Sequence, residues 1–277
     1  MHRRILIVNP NTSAAFTARI RASVRSRYAV ECVQPHSGPE TIESLYDEIL
    51  STPPSLELML NPGRPFDAAV VACFSDHPLT HCARELFECP VVGLLDAACA
   101  TALLLGDEFA VVTTSPSWVP LLRHGIARLG FKDRCAGIAS IDARVKDVLD
   151  DDMVAPRVVE QARAAGADVV VLGCAGFSSL RERVEQELPG LVAVDPVSAA
   201  IHAVEGLLDQ NLRTSKNSLY ATPRFKPYIT DRQLHEKRLF EAAYDREGVS
   251  QLPSAHDSSD DAVLLSYDDY VSPPPPQ

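Results

Sequence analysis

Two of the seven cysteines in this chain stand apart from the others by their surroundings. Cys73 closes the segment Asp67-Ala-Ala-Val-Val-Ala-Cys73, and Cys174 closes Asp168-Val-Val-Val-Leu-Gly-Cys174, so each lies six residues after an aspartate and directly after an apolar run. Pro90–Asp96 and Pro189–Asp195 form a second matched pair, again with an offset of six. Upstream, Ile5–Asn9 matches Phe109–Thr113, with 64 residues from Asn9 to Cys73 and 61 from Thr113 to Cys174. One arrangement is therefore present twice, with a cysteine at an equivalent point of each copy. Inverting a carbon centre needs a base on one face and an acid on the other. A thiolate and a thiol on facing walls of a cleft supply both without a cofactor.

The residues after each cysteine bear on its ionisation. Ser75 or Asp76 followed by Pro78 reads as a helix start, and Ser178 or Ser179 caps a second one after Cys174. Each thiol would then sit near a helix N-terminus, which favours thiolate. The small Ala175 and Gly176 leave backbone N–H groups free to hold an enolate oxygen. Cys32, Cys82, Cys89, Cys99 and Cys135 lack such a matched context and read as small apolar packing residues.

A metal site is the sharpest competing use of this region. His77 and His81 are four apart, with Cys82 adjacent and Cys73 just before, a spacing that can hold zinc. Against it, the second copy has no counterpart, and Pro78 lies between the histidines. Both histidines read instead as helix-surface residues. No Gly-x-Gly-x-x-Gly follows a strand, and no phosphate-loop Gly-Lys-Ser/Thr is present.

The elements that must position the cysteines are legible as short apolar runs: Ile5–Val8, Ala68–Ala72, Val91–Leu95, Ala110–Val112, Val169–Leu172 and Leu191–Val194. Runs of this length, nearly continuous in hydrophobicity, read as buried parallel strands. Stretches with apolar residues three and four apart, such as Trp118–Leu129 and Ala155–Ala165, lie between them as helices. The expected fold is α/β, with two pseudo-symmetric lobes, each a short and mostly parallel sheet flanked by helices. Ligands of such sheets bind beyond the carboxyl ends of the strands, which places the site between the lobes. The expected lobes are 1–97 and 98–195, with a closing helix over 196–211. An extension over 212–277 follows, helical near 231–244 and disordered after 250, where Ser, Asp and Pro dominate.

With 277 residues, 46% of them hydrophobic, the chain has a globular composition, and no apolar run reaches the roughly 18 residues of a membrane span. Its net charge of −11 argues against nucleic acid and anionic membranes as partners. The apolar N-terminal run is too short for a signal peptide. Seven cysteines, an odd number, read as the reduced thiols of a cytoplasmic enzyme. A homo-oligomer is left open.

Several segments together resemble the aspartate/glutamate/hydantoin racemase superfamily and, within it, the hydantoin and allantoin racemase branch. They are Ile7–Ser13 (Ile-Val-Asn-Pro-Asn-Thr-Ser), Gly38–Glu43 with Asp47, Ala72–Asp76, Pro90–Gly93, Val111–Thr114, Leu172–Gly176 and Asp195–Val197, spread from Ile5 to about Leu208. The Asn-Pro-Asn-Thr-Ser start and the Gly-Pro-x-x-Ile-Glu segment are the specific part.

The resemblance implies a cofactor-independent racemase of a small molecule, without a metal, that uses Cys73 and Cys174 as its two acid/base groups. It implies that Asn11, Ser75, Thr114 and the backbone of Ala175 and Gly176 contact the polar edge of a hydantoin-type ring such as allantoin. Thr12, Phe74 and Thr113 join them as substrate-binding positions, and Asn9 begins an equivalent loop. The adjacent carbonyl and ring nitrogen acidify the C5 proton of such a ring, within reach of a thiolate. No Lys or Arg directly follows a strand run, which favours a neutral ring over a free carboxylate. Arylmalonate decarboxylase, a relative in fold, uses only one of the two cysteines. His77-Pro78 and the long extension depart from the family pattern. Two other readings stay open: an isomerase or decarboxylase of maleate- or malonate-like acids, and a non-catalytic descendant of the family. A basic residue in the cleft would favour the first of these.

Overall fold

The computed structural model describes residues 3–223. The extension's expected helix near 231–244 and its expected disorder after 250 lie outside the described residues. The first half runs β1 (Arg4–Val8), α1 (Ala14–Ser23), β2 (Ala29–Val33), α2 (Leu45–Leu60), β3 (Ala68–Val71), α3 (Pro78–Leu86), β4 (Val91–Gly93) and α4 (Leu94–Ala102). The second runs β5 (Phe109–Thr113), α5 (Trp118–Arg128), β6 (Cys135–Ser140), α6 (Asp151–Ala165), β7 (Val169–Gly173), α7 (Arg181–Glu187), β8 (Val192–Val194) and α8 (Pro196–Asp209). Short 3₁₀ turns at Val145–Leu149 and Ala175–Leu180 flank the second sheet's strand ends.

The strands form two four-stranded sheets of the same order, β2-β1-β3-β4 and β6-β5-β7-β8, and every pairing is parallel. The central strands β1, β3, β5 and β7 are almost wholly buried, which is why they read as continuous apolar runs. The edge strands β2 and β6 were not legible as runs, because Cys32 is their one buried residue and the rest are partly or wholly exposed with mixed chemistry. The run Val91–Leu95 divides: Gly93 ends β4, and Leu94 already begins α4.

The six-residue offset from aspartate to cysteine has a structural reason. Asp67 Oδ2 accepts from the Arg4 amide at the start of β1, at 2.7 Å. Asp168 Oδ2 accepts from the Asp107 and Glu108 amides just before β5, at 2.9 and 3.3 Å. Each aspartate ties the start of its own strand to the start of the neighbouring one, and the cysteine stands just past the other end. The second matched pair of aspartates has diverged. Asp195 caps α8 by accepting from the Val197 and Ser198 amides, whereas Asp96 lies inside α4 and pairs with Arg84.

A single apolar core runs between the sheets. It joins Ile5, Ile7 and Val70 of one sheet to Val111, Val169 and Val171 of the other through Leu95, Ala98, Ala200 and Val204 on α4 and α8. These two helices pack on each other, and α8 also returns to β3 and β4 of the first sheet. Among the described residues, no helix is long and apolar enough to cross a membrane.

Candidate active site

The carboxyl ends of β1, β3, β5 and β7 converge on a pocket that is partly open to solvent. Cys73 enters it from the first sheet and Cys174 from the second. Beside them lie Asn9 and Asn11 after β1, Phe74 after β3, Thr114 after β5 and Ala175 after β7. The apolar walls come from Phe16 and Ile20 on α1, Ile42 before α2, Trp118 at the start of α5, and Val145. No lining residue is charged.

Local hydrogen bonds fix these groups. Ser13 caps α1 by accepting from the Phe16 amide, which sets Phe16 against the cavity. Asn9 Nδ2 donates to Asn11 Oδ1 at 2.8 Å and to Thr17 Oγ1 at 3.0 Å, while the Ser13 amide donates to Asn11 Oδ1 at 2.9 Å. With its carbonyl oxygen held twice, Asn11 keeps its amide N–H donors for a ligand. The Thr114 hydroxyl has no hydrogen bond among the described residues and borders the cavity.

Four positions expected to bind substrate do not line the cavity. Thr12 turns to the Pro39 carbonyl through its amide at 3.0 Å and its hydroxyl at 3.4 Å. The Thr113 hydroxyl donates to the Gly173 carbonyl at 3.1 Å, stapling β5 to β7. Ser75 lies behind Cys73, with its hydroxyl 3.6 Å from the sulfur. Gly176 is packed beneath Cys174, and its amide donates to the sulfur at 3.4 Å.

That last bond makes Cys174 itself the cap of the turn Ala175–Leu180, in the place expected for Ser178 or Ser179. Ser178 bonds back to the Ala175 carbonyl, and Ser179 binds Asp151. On the other side, α3 begins only at Pro78 and is capped by His77, not by Ser75 or Asp76. Its N-terminus therefore lies four residues beyond Cys73.

The expectation that helix starts favour both thiolates gives way to burial. Desolvation pushes the Cys174 thiol up to about 11, against the opposing pull of the Gly176 amide and the Arg19 charge. Cys73 is raised further, by burial first and then by the negative charge of Glu48, with the Ser75 hydroxyl opposing.

His77 is fully buried, not on the helix surface. Its Nδ1 accepts from the Leu79 amide at 3.1 Å, so Nε2 carries the proton and donates to Ser51 Oγ at 3.1 Å. Ser51 in turn donates to the Glu48 carbonyl at 2.9 Å. Burial lowers the His77 pKa to about 3 and keeps the ring neutral. His81 is also drawn in, bonded to Asp76 at 2.7 Å and facing the Tyr220 hydroxyl at 3.1 Å. Ligand atoms of Glu48, Cys73 and His77 lie within 4.8 Å of one another, but both His77 nitrogens are already engaged, so the trio is not open to a metal.

Sequence reasoning missed Glu48 and the apolar walls. Their helical spacing says that a face is buried but not that it abuts the strand ends. Trp118, the sole tryptophan, was the best available signal.

Comparison with known proteins agrees with this geometry. The Asp/Glu/Hydantoin racemase family model matches residues 5–204. A hydantoin racemase of Rhizobium meliloti is 36% identical over 232 residues, covering 80% of this chain and 95% of that protein. An allantoin racemase structure from Klebsiella pneumoniae superimposes with a TM-score of 0.77 at 32% identity, covering 83% of this chain and 98% of that one. The allantoin racemase of Pseudomonas fluorescens gives 0.76 at 32%, over 82% and 100%. The chain belongs to the Asp/Glu/hydantoin racemase family, as a racemase of its hydantoin and allantoin branch.

Proposed function

We propose that this racemase inverts the C5 centre of allantoin or of a 5-substituted hydantoin, with Cys73 and Cys174 as its acid/base pair and without a cofactor. The observation that carries the reading is a cavity entered by one cysteine from each sheet and lined by no charged side chain. A free carboxylate would find no cation there, so the uncharged lining weighs against maleate- and malonate-like acids. A ureide ring needs only neutral donors and acceptors, such as the Asn11 amide, the Thr114 hydroxyl and backbone N–H groups. The names of the relatives point the same way.

In this mechanism one sulfur, as thiolate, takes the C5 proton, and the C–H electron pair moves onto the adjacent carbonyl as an enolate. The neutral donors hold the oxygen. The second thiol then delivers its proton to the opposite face. Ser75, Gly176 and Thr113 act from behind, by holding the sulfurs and the strand ends. Thr12 shapes the loop that carries Asn11.

The test is polarimetry of (S)-allantoin and of single-enantiomer 5-substituted hydantoins in D₂O. Loss of rotation with one deuterium gained at C5 is expected. Cys73→Ser and Cys174→Ser should each lose nearly all racemisation, while exchange on the remaining cysteine's face can survive. Near wild-type racemisation by both variants would sink the two-thiol mechanism. Turnover of malonate-like acids alone would sink the substrate class.

A further inference from the structure

Glu48, on the first turn of α2, is only 4% exposed and does not line the cavity, yet it stands beside the reacting sulfur. A carboxylate oxygen, the Cys73 sulfur and a His77 ring nitrogen lie within 4.8 Å of one another. The Ser75 hydroxyl faces both the sulfur, at 3.6 Å, and the carboxylate. Oε1 of Glu48 is buried and has no hydrogen-bond partner among the described residues. An orphaned buried carboxylate oxygen costs stability. Capping does not account for it, because Ser44 caps α2 and Asp47 closes that cap by accepting from the Glu43 amide.

The groups around this carboxylate leave its charge unneutralised. Asp47 on the same helix and Asp76 from the β3–α3 loop add negative charge, and the facing His77 ring is neutral. Burial and these neighbours raise Glu48 to about 6, so it is ionised at neutral pH.

Cys174 has the opposite surroundings. The Gly176 amide donates to its sulfur at 3.4 Å. The positive charge of Arg19 also acts on it, from a guanidinium held by Asp151 at 2.7 Å and the Leu149 carbonyl at 2.6 Å. Two thiolates in one cavity repel, so the pair carries at most one negative charge near neutral pH.

We propose that Glu48 is a positioning residue of the racemase site: its carboxylate holds Cys73 in the thiol form, so the pair's one negative charge settles on Cys174. Of the two thiols, Cys174 is then the first to give up its proton, so it serves as base and Cys73 as acid. Cys174 forms its S–H bond with the substrate proton, and the C–H electron pair passes into the enolate. The Cys73 S–H bond then breaks, its proton goes to the opposite face of the carbon, and the electron pair stays on sulfur. A proton returning through water from Cys174 to Cys73 restores the starting form.

The catalytic meaning of this assignment rests on the two-thiol reading above, but its test needs no substrate, so the two fail separately. The full chain is labelled with iodoacetamide across a pH series, and each cysteine's rate is read by peptide mass spectrometry. The pH at which labelling reaches half its maximum follows thiol ionisation, independent of access. In the wild type the Cys73 midpoint should lie about 1 pH unit or more above that of Cys174. Glu48→Gln should raise the Cys73 rate at about pH 8.5 roughly ten-fold and leave that of Cys174 unchanged, whereas Glu48→Asp, which keeps the charge, should stay near the wild type. An unchanged Cys73 rate in Glu48→Gln overturns the proposal, as does a Glu48→Asp rate equal to that of Glu48→Gln. If Glu48→Gln does not fold, a wild-type Cys73 midpoint at or below that of Cys174 overturns it.

Discussion

Cys73 and Cys174 share a residue type and a place at the end of a buried strand, yet one is backed by a carboxylate and a hydroxyl and the other by amide donors. The carboxylate behind Cys73 has a thermodynamic signature of its own. Glu48 is raised from 4.5 to about 6, so the folded protein binds more protons there than the unfolded chain does between those values. Its contribution is fully present below about pH 4.5 and is lost as pH rises through about 6. His77 runs in the opposite sense. Lowered from 6.5 to about 3, it contributes stability above the unfolded value that is lost as pH falls through that window. Glu48→Gln removes the first effect and leaves the second. The variant should match the wild type near pH 4.5 and exceed it above pH 6 by up to about 2 kcal/mol, at about 1.4 kcal/mol per pK unit. Urea midpoints at pH 4.5, 6 and 8 measure this. A wild type that is the more stable at pH 8 would mean that the buried charge has an unrecognised partner.

At the scale of elements, the site depends on how closely β7 and the turn after it approach their neighbours. A Cβ at Gly173 would sit 2.8 Å from the Val112 carbonyl oxygen on β5, and one at Gly176 would sit 2.4 Å from a Val148 methyl and 3.1 Å from the Phe16 ring. Gly176→Ala should therefore displace the turn that presents the amide to Cys174, costing about 1–3 kcal/mol as overpacking and most of the activity. Thermal melts and racemisation assays check both. A stable and fully active variant would show that the amide's placement is not critical.

These close approaches also mark what the sequence could reveal. The central strands were legible because burial on both faces demands unbroken apolar runs, and Cys73 and Cys174 followed from the repeat and their places just past strand ends, while Asn11 and Thr114 came only from the family resemblance. β2 and β6 were not, since partial exposure at the sheet edges breaks the apolar run. His77 read as a surface residue because its spacing from His81 says nothing of α2, which covers it. Thr12, Thr113, Ser75 and Gly176 lie near the cavity without lining it, because their hydrogen bonds turn them to Pro39, Gly173 and the two sulfurs.

At the scale of the whole molecule, the two sheets are held by α4 and α8, and the chain does not leave this body at the end of α8. Residues 213–220 run back along the first sheet's outer edge. The Thr214 amide and hydroxyl donate to the Glu88 and Cys89 carbonyls, each at 2.8 Å. Lys216 Nζ donates to the Arg84 and Glu85 carbonyls at 2.8 and 2.7 Å, where α3 ends and its carbonyls lack helical partners. The Tyr220 hydroxyl reaches His81, which holds Asp76, three residues after Cys73, and Asp76 also pairs with Arg128 on α5. Asp76 thus ties the loop behind Cys73 to a helix of the second sheet, and the segment's Tyr220 braces the His81 that holds it. The extension expected from 212 therefore begins with residues bonded to the rest of the molecule: Thr214, Lys216 and Tyr220. Truncation after Pro223 should leave stability and racemisation near those of the full chain. Truncation after Leu212 should cost about 1–3 kcal/mol, a melting-point drop of about 2–4 °C per kcal/mol in a chain of this size, together with weaker racemisation. Tyr220→Phe separates the causes. It removes the hydroxyl facing His81 but leaves Thr214 and Lys216 in place, so it should lower activity more than stability. If truncation after Leu212 is as stable and as active as truncation after Pro223, the return segment is only surface cover, and Asp76 is held well enough by Arg128 alone.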